Sequence, residues 1–345
     1  MDKNNIYEIA EQSGVSIATV SRVLNNSDKV SSSTRKKVLK VIRDSEYFPR
    51  KNKDRKYDIL VIINGTENTN QNYVGSYESQ LLNGIVKEVK ENDDINFHLL
   101  FIDHSWPHAR VLKSIKERSI DGIIVLQSNE ETTYLSVLSD HKVPIVLINN
   151  SSIQSFHSIE FENKISTQQA MDYLYDKGHR KIGIFSGHYQ FSDIKERVDA
   201  ASEFLKSKNC YDSNSLVLLP DSENLKYVDN YKRGYEMAKF YIKNGISHTA
   251  LLFTNADICL GALSLFAENE IQVPEQLSVI TFDENPSFAY YKPALTTISQ
   301  PLNKMGEVAT KTLWDIFKDN ANLNSQQKRF SFIGNLTERE SCRSI

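Results

Sequence analysis

Apolar positions in the first 45 residues recur at helical spacing. Ile6, Ile9 and Ala10 fall at i, i+3 and i+4, one face of a helix that Asn4 or Asn5 can cap. Gly14 follows Ser13, where a left-handed residue ends a helix cheaply. Val15 can plug the turn and Ser16 can cap a second helix, whose inward set is Val20, Val23 and Leu24. Ile17, Ala18, Thr19, Ser21, Arg22 and Asn25 are left on its outer side. A third helix is predicted over Ser32–Asp44, with Val38, Val41 and Ile42 closing a three-helix unit.

From residue 58 the pattern changes to short apolar runs between amphipathic stretches. Asp58–Asn64, Phe97–Ile102, Gly122–Leu126, Pro144–Asn149, Lys181–Ser186, Leu216–Leu219, Thr249–Phe253 and Leu277–Phe282 read as buried strands, and Ser79–Glu91 reads as a helix. Strands alternating with helices of 10–15 residues imply a doubly wound, mostly parallel α/β sheet. About eight such units are too many for one comfortable sheet, so two α/β lobes are expected. No internal repeat or low-complexity tract is evident.

Charge divides the chain at the same place. Residues 1–56 hold 13 Lys and Arg against 7 Asp and Glu, whereas the remainder is acidic and the whole chain carries a formal −3. A basic head on an acidic body suits a phosphate-binding module on a regulatory domain. Helix, tight turn, then a small polar helix with one arginine is also a shape that enters a DNA major groove, although helical hairpins serve other purposes too. There is no apolar run of membrane-spanning length, and no apolar stretch follows Met1-Asp2-Lys3, so a cytoplasmic location is expected. The cysteines Cys210, Cys259 and Cys342 are odd in number and far apart, suggesting a reducing compartment and no zinc site. HExxH, P-loop, G-x-S-x-G and GxGxxG patterns are missing, and no cofactor is expected.

GVSIATVSRVLN followed by VSSSTRKKV resembles the N-terminus of the LacI/GalR family of bacterial transcription regulators. PIVLIN, KGHRKIGIFSG, ERVDAASEFL, GALSLFAENEIQVPEQLSVITFDE and PALTTISQP follow in that family's order, so the resemblance spans nearly the whole chain. It implies a helix-turn-helix head at 1–49, a linker at 50–57 and, at 58–345, a two-lobed core of the periplasmic-binding-protein type I kind that binds an effector and dimerises. The chain would cross between lobes three times, near Asn149–Asn163, Asp283–Pro286 and Phe317–Gln327. Implied partners are pseudo-palindromic double-stranded operator DNA, a small effector and a second copy of the chain.

In the head, Arg22 is suited to a bidentate guanine contact and Ala18 to a thymine methyl, with Ile17 beside them. Tyr7, Ser16, Thr19, Ser21 and Asn25 suit phosphates and register. In the body, ligands of open α/β sheets bind outside the carboxyl ends of strands. Asn149, Asn255, Asp283 and Gln300 stand at such ends, and Arg197 opens a helix soon after another. By resemblance these five match effector-holding positions, and Asp193 lies on the same approach. Asp283 with Arg197 can grip vicinal hydroxyls, and the amides suit a neutral sugar. The same residues also suit strand ends, Asx turns and helix caps.

Two departures from the family pattern stand out. The common Asn-Asp pair is Asn255-Ala256 here, with Asp257 one position late. The linker is also shorter and has no leucine, whereas many members form a hinge helix that wedges leucine into the minor groove. A charged tether whose Arg50, Lys51, Lys53, Arg55 and Lys56 touch phosphates is expected instead. The reading is a ligand-responsive regulator of carbohydrate-utilisation genes, most simply a repressor. A purine effector, a protein partner or a sugar-processing enzyme built on Asp283 and Glu284 remain as alternatives, the last opposed by the divergence of adjacent carboxylates.

Overall fold

The computed structural model describes residues 6–24, 27, 29–44, 56–64, 75–102, 108–116, 120–126, 134–138, 143–150, 155–186, 192–217, 229–245, 248–318 and 327–345. The chain divides into two compact units, Met1–Lys56 and Tyr57–Ile345.

The first unit holds α1 (Ile6–Ser13), α2 (Ile17–Leu24) and α3 (Ser32–Asp44). Ile9, Ala10, Val20, Val23 and Val38 form its core, with Val15, Leu24, Val41 and Ile42 packed at its edge. The predicted stripes are therefore the packed ones. Gly14 sits at φ 61 and its N–H donates to Glu11 at 3.0 Å, the left-handed helix exit that glycine adopts without strain. Ser16 Oγ accepts from the Thr19 N–H at 3.2 Å, and Ser31 Oγ accepts from the Thr34 N–H at 3.2 Å, so serines cap both later helices.

The second unit contains two six-stranded sheets. In chain order its elements are β1 (Tyr57–Asn64), α4 (Ser76–Lys90), β2 (Ile95–Ile102), α5 (His108–Lys116), β3 (Gly122–Leu126), α6 (Tyr134–Leu138), β4 (Ile145–Ile148) and β5 (His157–Phe161). There follow α7 (Asn163–Asp176), β6 (Ile182–Phe185), α8 (Ser192–Ser207), β7 (Leu216–Val217), α9 (Asn230–Lys243), β8 (Ala250–Phe253), α10 (Ala256–Glu268) and β9 (Ser278–Phe282). A 3-10 turn at Pro286–Tyr290, β10 (Thr296–Ser299), α11 (Leu302–Lys318), β11 (Arg329–Phe332) and β12 (Asn335–Thr337) complete it.

The first sheet has the order β11-β5-β4-β3-β1-β2 and the second β12-β10-β9-β8-β6-β7. All pairings are parallel except β10 with β12. Runs such as Ile59–Ile63 and Leu251–Phe253 are buried throughout, as strands covered on both faces require. One apolar core continues between the lobes, joining Ile148 and Phe161 to Ile280 and Phe282.

The chain does cross between lobes three times, but two crossings differ from expectation. The first falls at Phe161–Asn163, within the expected segment. The second lies at Ser299–Leu302, not Asp283–Pro286, because Thr296–Ser299 forms one more strand of the second sheet. The third joins Phe332 to Asn335, not Phe317–Gln327, because Arg329–Phe332 still pairs with β5. These strands are three or four residues long and rich in Thr, Ser and Asn, so they carry no apolar-run signal.

Helix α11 lies tightly on α4. A Cβ on Gly84 would come within 1.9 Å of the Asn303 carbonyl oxygen, so only glycine permits this approach. That packing holds the second crossing, with Gln300, beside the first turn of α4.

Candidate nucleic-acid interface and ligand cleft

The candidate nucleic-acid surface is one face of the first unit. Tyr7, Ser16, Ile17, Ala18 and Arg22 are exposed, and Thr19 and Ser21 are half-buried. Ile17 is 39% exposed although the helix has a core available on its other face. An apolar residue left outside beside Ala18 and Arg22 gives a surface with methyl groups and one cation, the chemistry that base edges in a major groove can meet. Ser16 and Thr19 are already engaged with each other, their hydroxyl oxygens 2.9 Å apart. Asn25 and linker residues 50–55 lie outside the described residues.

In the second unit the strand ends converge as the parallel topology requires. Asn149, after β4, lies at φ 56 and Asp283, after β9, at φ 68, left-handed backbone that Asn and Asp tolerate better than most residues. Asn149 Nδ2 donates to the Tyr77 hydroxyl at 2.6 Å and approaches Gln300 Oε1 at 3.5 Å. Gln300 Nε2 donates to Asp283 Oδ1 at 2.7 Å. Asn255 Nδ2 stands 3.5 Å from Asp283 Oδ2. A polar chain therefore runs from Asn149 through Gln300 and Asp283 to Asn255, linking the ends of β4, β10, β9 and β8.

Arg197, on α8, is 1% exposed. Its Nε donates to Asn163 Oδ1 at 2.8 Å and its Nη1 to the Thr254 carbonyl at 2.7 Å. The guanidinium lies over the Phe282 ring, 4.3 Å from its centroid. Nη1 is 3.9 Å from Asp283 Oδ1 and Nη2 is 3.8 Å from Asp193 Oδ2. These are charge contacts beyond hydrogen-bond length. Among the described residues, Arg197 Nη2 and Asn149 Oδ1 are buried with no hydrogen-bond partner. One unmet donor and one unmet acceptor therefore border the same cleft, where a hydroxyl group could satisfy both kinds.

Burial pushes the Asp283 carboxyl above its ordinary range, with Arg197 and the Gln300 hydrogen bond opposing the shift and Asp193 adding to it. Asp257 is raised by burial and then by the charges of Asp283 and Asp229. Glu78 is raised by burial, with Asp257 and Asp283 adding repulsion.

The six cleft residues singled out from sequence thus lie around one cleft, but their commitments differ. Asn255 is also the N-cap of α10, its Oδ1 accepting from the Asp257 and Ile258 N–H groups at 2.9 and 3.3 Å. Only its amide nitrogen faces Asp283. Glu284 diverges from Asp283. Arg339 Nη2 and Nη1 donate to it at 2.8 and 3.2 Å, and the Thr297 hydroxyl donates to it as well, so the two carboxylates share no partner.

Sequence reasoning missed Tyr77, Glu78, Asn163 and Thr254. The rule that strand ends face the ligand extends to the helix after β1 and would have flagged the Tyr77-Glu78 pair in its first turn. Asn163 and Thr254 carry no comparable signal. Asn163 acts through Arg197, and Thr254 contributes only a carbonyl.

A three-helix unit with an exposed small-residue helix, and a two-lobed parallel α/β unit with a polar cleft at its strand ends, define a one-chain regulator that pairs DNA reading with a ligand-binding core. A family model described as "Bacterial regulatory proteins, lacI family" matches residues 5–50, and one described as "Periplasmic binding protein-like domain" matches residues 171–342. Catabolite control protein A of Streptococcus mutans is 30% identical over 326 residues, 91% of this chain and 92% of that protein. Among solved structures, the transcriptional regulator CelR–cellobiose complex superposes with a TM-score of 0.71 at 22% identity, covering 98% of this chain and 100% of that one. The lac repressor dimer bound to operator and the anti-inducer ONPF gives a TM-score of 0.70 at 20% identity, covering 98% and 99%.

The chain belongs to the LacI family of bacterial regulatory proteins. It is a DNA-binding transcription regulator and not an enzyme. Among the described residues, no helix is long and apolar enough to cross a membrane.

Proposed function

We propose that this protein represses genes of carbohydrate use by binding a pseudo-palindromic operator as a homodimer, and that a small sugar in the cleft changes its operator affinity. The observation that carries the reading is the buried guanidinium of Arg197, with one nitrogen unmet, beside the Asp283–Gln300–Asn149 chain. Arg197 and Asp283 grip adjacent hydroxyls, and Asn149, Asn255 and Gln300 fix the ring by accepting and donating, with Asp193 at the margin. Two solved structures of similar fold support this, one in complex with cellobiose and one a dimer on operator DNA.

Residues 1–49 act as the head, 50–56 as a tether, one residue shorter than expected because Tyr57 already pairs in β1, and 57–345 as the effector and dimerisation core, working in the cytoplasm where operators lie. Ile17, Ala18 and Arg22 read bases. Tyr7, Ser16, Thr19, Ser21 and Asn25 set phosphate contacts and register. Two identical heads match a two-fold operator and combine contacts that are weak singly. A ligand touching both lobes shifts their relative arrangement by as much as its affinity differs between arrangements. Both lobes already meet at the cleft, where Gln80 Nε2 on α4 donates to the Glu284 carbonyl at 3.2 Å.

The test is fluorescence anisotropy of the full chain on a palindromic fragment from upstream of its own gene, with excess random DNA. Binding released by one sugar establishes repression and names the inducer. Binding strengthened by a sugar reverses the sign of control. Binding unaffected by sugars but altered by a purine or a protein overturns the sugar assignment.

A further inference from the structure

In parallel α/β lobes the strand ends that form a cleft are followed by helix N-termini, whose free N–H groups and dipoles attract anions. Three helices reach this cleft with their first turns, and each carries its own carboxylate there. These are Glu78 on α4, Asp193 on α8 and Asp257 on α10. Tyr77, adjacent to Glu78, bonds Asn149. Asp193 stands 3.8 Å from Arg197 Nη2, and the Asn255 that caps α10 reaches Asp283. A fourth acid, Asp283, lies at the centre. Among the described residues the buried cation there is Arg197, which spends Nε and Nη1 on Asn163 and Thr254, leaving Nη2 to meet a ligand.

We infer that Glu78 and Asp257 are specificity-determining residues that restrict this cleft to uncharged, hydroxyl-bearing ligands and shut out sugar phosphates and sugar acids. The inference rests on the small-ligand reading above and deepens it. A phosphate or carboxylate entering the cleft meets three helix first turns that each carry one of the chain's own carboxylates, and a guanidinium already near Asp283 and Asp193. Repulsion from several carboxylates in a partly desolvated site outweighs one remaining N–H donor. A neutral hydroxyl loses nothing to these charges and donates to them. The unusual placing of Asp257, one residue after Ala256, puts its carboxylate in the first turn of α10, behind the capping Asn255. Partial desolvation raises both Glu78 and Asp257 above their ordinary pKa range, and the charge of Asp283 adds to both shifts, which agrees with acids gathered near one volume.

The experiment uses the full chain in thermal-shift and calorimetric titrations with inorganic phosphate, glucuronate and glucose 6-phosphate, beside glucose, maltose and cellobiose. Wild-type protein is expected to ignore the three anions. The Glu78→Gln/Asp257→Asn double variant is expected to gain affinity for at least one anion by about tenfold or more, the size of one removed charge interaction. That gain should vanish when Arg197→Met is added. The two single substitutions, each expected to give part of the gain, guard against a double variant that fails to fold. Anion binding by the wild type that Arg197→Met abolishes overturns the inference, as does a folded double variant, or folded single variants, with no gain. Failure of all neutral sugars to bind counts against the sugar reading instead, because the anion arms read the charge filter without them.

Discussion

The recognition surface of the head and the cleft of the core are both polar, yet they are built in opposite ways. On α2 the candidate contacts stand on one short helix and point outward, and the packed residues beneath them are other side chains entirely. In the cleft each candidate is bonded to another candidate or to the fold, and Arg197 is at once a core residue and a ligand donor. Most of a surface that reads DNA can be altered without touching stability, Ser16 at the cap of α2 being the exception. A cleft that reads a small molecule is part of the folding free energy, so substitutions there act on both.

The largest expected effect is in the cleft. Arg197→Met removes the buried cation that faces Asp283, leaving that carboxylate with Gln300 but no opposite charge, and takes away the donor to Asn163 Oδ1. Destabilisation of about 3 kcal/mol is expected by urea denaturation, together with loss of any sugar response in the anisotropy assay. An unchanged unfolding midpoint would mean that the core does not need this charge.

The contrasting substitution is Arg22→Ala. It should cost about 1–3 kcal/mol of preference for operator over random DNA while leaving the thermal midpoint unmoved. Equal loss on both DNAs would make Arg22 a phosphate contact and blur the distinction between the two regions.

Ser16→Ala probes where the head does couple surface to fold. The hydroxyl caps α2, so about 1 kcal/mol of head stability should be lost, measurable by hydrogen exchange of the Ile9 and Val20 amides. No change in protection would show that the cap is redundant.

The smallest effect is a slope. The Asp283 carboxyl is held above its ordinary value by burial, so its contribution to stability is present at low pH and declines as pH rises through the raised value. The unfolding midpoint of wild type minus that of Asp283→Asn should therefore fall from about pH 4 to pH 7. The histidines with lowered values, His157, His179 and His248, are common to both proteins and cancel. A difference that rises with pH would mean that Arg197, not burial, governs this site.

Much of this architecture was visible along the chain. The stripes Ile6-Ile9-Ala10 and Val20-Val23, the turn at Gly14 and the cap at Ser16 need only neighbours within a few residues, and the head follows from them. The long apolar runs of β1, β3 and β4 mark themselves because strands covered on both faces must be apolar throughout. Where strands are short and polar, as in β10, β11 and β12, pattern fails, and with it the position of two lobe crossings. The strand-end rule located Asn149, Asp283 and Gln300, but it could not say that Asn255 spends its oxygen capping α10 or that Glu284 turns away to Arg339.

Sequence alone determined the helices of the head, the parallel α/β class of the core and the residues that stand at its strand ends, because these depend on periodicity and local backbone chemistry. Tertiary structure decided which of those residues meet. Tyr77 reaches Asn149 across 72 positions and Arg197 reaches Thr254 across 57. It also decided that Asp193 and Asp283, 90 positions apart in sequence, flank one buried guanidinium. Such pairings depend on how helices and strands from two lobes pack, and no local pattern encodes the distance between groups that folding alone brings together.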